Sequence, residues 1–127
     1  MENKKIKNFY ELEAWQKARD LTLQIYNITK TFPKEELFGI TNQLRRASAS
    51  IMANIAEGFA RFHFKDKIKF YYMARASAAE VQSFLFLSEA LRYIDQPTLQ
   101  KLSAQCEESA RLINGLINSI NNNNPSY

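Results

Sequence analysis

Between residues 61 and 72 the chain reads RFHFKDKIKFYY, so that Arg61, Lys65, Lys67 and Lys69 interleave with Phe62, Phe64, Phe70, Tyr71 and Tyr72. Cations neutralise phosphates and aromatic rings stack on bases, and this mixture points to the backbone of RNA or DNA. Lys4, Lys5 and Lys7 at the N-terminus extend the set of candidate phosphate contacts to Arg61, Lys65 and Lys67. A plainer reading stands beside it. Phe70, Tyr71 and Tyr72 fall on helical faces that commonly fill a core, and lysines at a helix start are often only a solvated surface.

Other chemistry has little support. His63 is the one histidine and Cys106 the one cysteine, which leaves no paired ligands for a metal and no internal disulfide. Three glycines in the whole chain make no phosphate-binding loop, and the Glu-x-x-His pattern of carboxylate-bridged metal bundles is missing. Glu57 and Glu80 are better explained as partners of basic residues than as a general acid and base. The expectation is a non-enzyme without catalytic, metal or cofactor sites.

The elements that position these residues follow from spacing. In 127 residues, 46% hydrophobic and 24% charged, apolar residues recur at three and four and almost nothing suggests strands. Four helices are predicted. The first runs from about Glu11 to Lys30 on a seam of Ala14, Ala18, Leu21, Ile25, Ile28 and Phe32. Beyond Pro33, Glu35 and Glu36 suit the positive end of a new helix, which can restart after Gly39 with Thr41 as its cap. Its seam is Ile40, Leu44, Ala47, Ile51, Asn54 and Gly58. The third helix, expected to be the longest, carries Phe70, Ala74, Ser77, Val81, Phe84, Ser88 and Leu91. The fourth carries Leu99, Leu102, Cys106, Ser109, Ile113, Leu116 and Ile120.

Short links between helices of similar length favour an all-α, antiparallel, up-down-up-down four-helix bundle over residues 10–120. Residues 1–9 are expected to form a mobile basic arm and 121–127 a disordered Asn-rich tail. Folding back about residue 63 would set Arg46 near Glu80, Asn54 near Tyr72 and Glu57 near Lys69, which makes Arg45 and Arg46 weaker phosphate candidates. The stretch LRRASASIMANIAEG then looks built for close helix packing with a few registering polar contacts. SFLFL at 83–87, including Phe84 and Phe86, is apolar on every side of its helix, so a second contact surface is expected. No apolar run reaches the roughly 20 residues of a membrane span, and the N-terminal segment lacks a signal-peptide core, so a cytoplasmic protein is expected.

The segments FYELEAWQKARDL, FPKEELFGITNQLRRASASIMANIAEGFAR and FYYMARASAAE together resemble the four-helix-bundle family encoded in intervening sequences of bacterial 23S ribosomal RNA genes. Met52 and Ala76 depart from its usual pattern, standing where a proline or small residue and a glycine are common. The resemblance implies a left-handed bundle that assembles as a homopentamer. It also implies kinship with the accessory variability determinant of diversity-generating retroelements, a basic pentamer that binds nucleic acid and a reverse transcriptase.

Charge is unevenly spread: residues 1–75 hold fourteen of the 17 Lys and Arg but eight of the 13 acids. The net charge is +4 per chain, and five copies about one axis would carry about +20. The leading expectation is an oligomer that binds RNA or DNA through phosphates with little sequence reading. The alternatives are a scaffold that docks a partner protein such as a nucleic-acid enzyme, or a passenger protein of a mobile or intervening element.

Overall fold

The computed structural model describes residues 5–123, and within them the chain forms four α-helices and no strand. Helix α1 spans Glu13–Thr29, α2 Ile40–Ala60, α3 Phe64–Ala90 and α4 Gln96–Asn123, with short 3-10 turns at Phe9–Glu11 and Lys34–Glu36. Each helix packs on the next in sequence, and α4 returns onto α1. Bonds between helices join rising to falling residue numbers: Ser77 to Ser50 and Lys67 to Phe59, then Arg75 to Asn114 and Gln82 to Ser103. Successive helices therefore run antiparallel, in the expected order. No helix among the described residues is long and apolar enough to cross a membrane.

The helix ends differ from the expectations for physical reasons. Glu11 precedes α1 in the 3-10 turn, where its carboxylate accepts from the backbone N–H groups of Lys7 and Asn8. Thr41 is not the cap of α2. It lies buried inside the first turn, and the carboxylate of Glu36 accepts from the Ile40 N–H instead. Asp95 caps α4 by accepting from the Thr98 N–H at 2.9 Å, and the Thr98 side chain, more than that N–H, holds its carboxyl below the usual range. Helix α4, at 28 residues, is one longer than α3 at 27, because Asn121–Asn123 continue it rather than beginning a tail. Residues 124–127 of the expected tail lie outside the described residues.

Helix α3 ends in a Schellman turn. The Tyr93 N–H reaches the Ser88 carbonyl and the Arg92 N–H reaches Glu89, with Arg92 in the left-handed region at φ 65°. The Tyr93 hydroxyl then donates to Glu36 at 2.8 Å, tying the α3–α4 turn to the α1–α2 turn. That bond, more than burial or the nearby charge of Glu35, raises the phenol pKa.

The core follows the predicted seams of α1, α2 and α4 closely, with Leu21, Ile25, Leu44, Ile51, Leu102 and Ile113 all fully buried. Cys106 is buried with them, and desolvation pushes its thiol up to about 12, which leaves it unreactive at neutral pH. Three seam positions shift: Ile55 rather than Asn54 fills the core in α2, Ile117 rather than Leu116 in α4, and Thr29 rather than Ile28 in α1.

Helix α3 departs furthest. Its buried stripe is Tyr71, Ala74, Ala78, Val81, Leu85 and Ser88, so Phe70, Ser77 and Phe84 are half-buried on its flank and Leu91 is exposed. Both stripes satisfy a three-four spacing. Gly58 decides between them, because a Cβ at that position would lie 2.7 Å and 2.9 Å from the Tyr71 ring and 3.2 Å from the Lys67 carbonyl oxygen. A glycine on α2 thus makes the hollow that receives the tyrosine of α3. Gly58→Ala should lower the free energy of unfolding by a net of about 1–2 kcal/mol, the ring displacement outweighing the gain from removing a helical glycine. Denaturant titration measures this, and an unchanged midpoint would mean that the ring yields without cost.

Candidate nucleic-acid interface

Antiparallel order brings residues 5–11 to the end of the bundle that holds the α2–α3 link. The Phe9–Glu11 turn packs on both α1 and α2, and Phe9 sets its ring 5.3 Å from Trp15. Lys5 and Lys7 are exposed there, as are Arg61, Lys65 and Lys69. Lys4 lies outside the described residues. Acids share this end: Glu11 is occupied by backbone N–H groups and Glu57 by Arg61, while Asp66 is exposed in the first turn of α3.

The basic run does not act as a unit. Lys67 is half-buried, and its ammonium donates to the carbonyls of Phe59 at 2.7 Å and Gly58 at 3.3 Å. Those are last-turn carbonyls of α2, at the negative end of the helix dipole, and the Gly58 carbonyl also accepts from the Arg61 N–H at 3.3 Å. Burial lowers the Lys67 pKa, while the two carbonyls and the Phe59 ring at 5.4 Å surround the charge. Lys67 is therefore a cap for α2 before it is anything else. Arg61 ion-pairs with Glu57 at 3.1 Å and lies 4.5 Å over the Phe70 ring. An exposed pair of this kind contributes only about 0–1 kcal/mol, so a phosphate can displace the carboxylate cheaply.

The aromatic residues divide in the same way. Tyr71 belongs to the core, where burial pushes its phenol up to about 12, and Phe70 lies under Arg61. Phe62, Phe64 and Tyr72 are exposed, Phe62 to 87%, and the Phe62 ring meets His63 edge-on at 5.2 Å. His63 stands at the N-cap of α3. One feature was not anticipated from sequence: Lys65, Ile68 and Tyr72 line a groove of about 450 Å³ with Asn121 of α4. Beside it the Arg75 guanidinium covers Tyr72 at 4.9 Å and donates to Asn114 at 2.6 Å. The sequence signal for this groove is the Asn-rich end of α4, which looks like a tail until the helix is seen to continue.

The expected polar pairs across α2 and α3 do not form. No ion pair joins Arg46 to Glu80, and both residues are exposed on the outer sides of their helices. Glu57 pairs with Arg61, one helical turn on, rather than with Lys69. Asn54 donates to the carbonyl and hydroxyl oxygens of Ser50 at 2.9 and 3.0 Å rather than to Tyr72, and Ser77 donates to Ser50 at 3.1 Å. The Asn54 amide nitrogen is thus bonded within its own helix. The exposed side of α3 carries Tyr72, Met73, Phe86, Leu87 and Leu91, all more than 40% exposed, while Phe84 packs against the core.

An antiparallel four-helix bundle with a cationic and aromatic end defines the class of protein. The model of the 23S rRNA-intervening sequence protein family matches residues 10–115, and the chain belongs to that family. Its fold is similar to the crystal structure of a protein of unknown function from the S23 ribosomal protein family of Bacteroides thetaiotaomicron VPI-5482. That likeness has a TM-score of 0.77 at 24% identity and covers 83% of this chain and 95% of that one. None of the curated proteins compared with the chain is similar to it.

Lys67→Met should separate capping from contact. Loss of the two charge-assisted bonds should cost about 1–3 kcal/mol of stability. The salt concentration that elutes the protein from immobilised DNA should stay unchanged. A lower elution point in a fully folded variant would return Lys67 to the set of contact residues.

Proposed function

We propose that this chain is a non-catalytic, self-assembling helical bundle that holds RNA or DNA through phosphates, with little reading of base sequence. The observation that carries the reading is the gathering of Lys5, Lys7, Arg61, Lys65 and Lys69 at one end of the bundle beside Phe62, Phe64 and Tyr72. Cations next to exposed rings suit a strand whose phosphates are neutralised while bases stack. The family's name ties it to 23S ribosomal RNA intervening sequences, which makes RNA the first probe. Assembly would multiply a modest +4 per chain into a polyanion-binding field. A homopentamer, as the sequence resemblance implies, would present five such ends together.

The test is equilibrium binding to a structured RNA and to duplex DNA across a salt series. Affinity should fall steeply with salt, and Lys65→Glu with Lys69→Glu should weaken binding and reduce the slope of log affinity against log salt by about 2. Absence of binding at low salt would sink the reading.

The outer face of α3 supports the self-assembly half of the proposal and also a second reading, in which that face docks another protein. Large apolar side chains on one exposed face commonly mark an interface. Light scattering separates the two. If the face joins copies of this chain, Phe86→Glu with Leu87→Lys should reduce a larger mass to the 14.8 kDa monomer. A wild-type mass already at 14.8 kDa would instead favour the docking scaffold.

A further inference from the structure

Arg45, from the RRASAS stretch, has a built environment at the end of the bundle opposite the cationic link. Its Nε donates to the Thr29 hydroxyl at 2.9 Å, and its guanidinium covers the Tyr26 ring at 4.9 Å. Thr29 is buried and spends its own proton on the Ile25 carbonyl at 2.7 Å, so it acts as a fixed acceptor that orients the arginine. Arg45, bonded to Thr29 through Nε alone, lines a groove of about 340 Å³ between the end of α1 and the start of α2.

The groove is cationic by arrangement. Lys30 and Lys34 line it with Arg45, and none of the described lining residues is acidic. The two acids of the same turn lie elsewhere: Glu36 accepts from Tyr93 and from the Ile40 N–H, and Glu35 is close enough to Tyr93 to affect its phenol. Phe32, Pro33 and Leu37 supply an apolar wall. Thr41, at the start of α2, also lines the groove.

We infer that this groove binds a small phosphate monoester carrying an aromatic or other apolar body, of the class of a nucleoside monophosphate. An oriented arginine presents its planar fork to phosphate oxygens, and two lysines add to the attraction for a dianion. A carboxylate, with one charge, would leave the three cations under-neutralised. The apolar wall holds the body, and the groove volume falls in the range of small-molecule sites. The site is separate from the phosphate-binding end proposed above.

The experiment is calorimetric titration of the full-length protein at low salt with adenosine monophosphate, adenosine and inorganic phosphate. Adenosine monophosphate should bind at least about tenfold more tightly than either half, the worth of one charge-assisted hydrogen bond. Lys34→Gln should weaken it by about tenfold with an unchanged melting temperature. Arg45→Gln should weaken it further, but that variant also removes the bond to Thr29, so the exposed Lys34 gives the cleaner reading. A 5′-hydroxyl oligonucleotide, which offers only phosphodiesters, should not displace the mononucleotide. The inference is overturned by an absence of saturable binding, by equal affinity for adenosine or inorganic phosphate, by an indifferent Lys34→Gln, or by displacement with the oligonucleotide.

Discussion

The approach of the Tyr71 ring over Gly58 sets how α3 lies on α2, and most of the molecule follows from it. Without a side chain at residue 58 the two helices can close on a large ring, and that ring fixes the rotation of α3 about its axis. The rotation turns Ala74, Ala78, Val81 and Leu85 inward and leaves Phe86, Leu87 and Leu91 outside. It also brings Lys67, one turn before Tyr71, to the last-turn carbonyls of α2. One contact thus determines the core, the outer apolar face and the use of a cation.

Charge in this chain serves structure before it serves ligands. Lys67 closes a helix end, Arg61 rests on Phe70, Arg75 spans to Asn114 and Arg45 braces α2 against Thr29 of α1. The guanidinium groups do this while remaining able to take further bonds, since a fork bonded through one nitrogen still offers its others. The ammonium of Lys67 is committed differently, because two carbonyls and an aromatic ring enclose it. A count of basic residues therefore overstates the surface available to phosphates.

Much of the fold was legible in the sequence. The seams of α1, α2 and α4 alternate with polar faces, so spacing alone located both helices and core. Helix α3 is apolar on nearly all sides, and spacing there could not choose between neighbouring stripes. Folding back about residue 63 gave the correct height for facing residues to within one position, as Ser50 with Ser77 shows. Height does not specify flank, however, and Arg46 and Glu80 lie at matching heights on outward sides. Arg45 and Arg46 illustrate the same limit. Adjacent residues on a helix point about 100° apart, so one arginine reaches Thr29 while its neighbour faces solvent. The grooves at either end draw residues from two helices each, which no local pattern reveals.

Because each helix packs on its neighbour in sequence, most contacts are local, while the return of α4 to α1, the Phe9–Glu11 turn on α2 and the Tyr93 clasp to Glu36 join distant parts of the chain. Helical bundles of such low contact order fold in microseconds to milliseconds. Synthesis is far slower, at about 5–20 residues per second. While α4 is still being made, α3 can already lie on α2, and the side of α3 destined for α4 waits on translation for a few seconds. The period in which this apolar helix stands exposed during synthesis is therefore governed by the ribosome's pace rather than by the chain's own search for its fold.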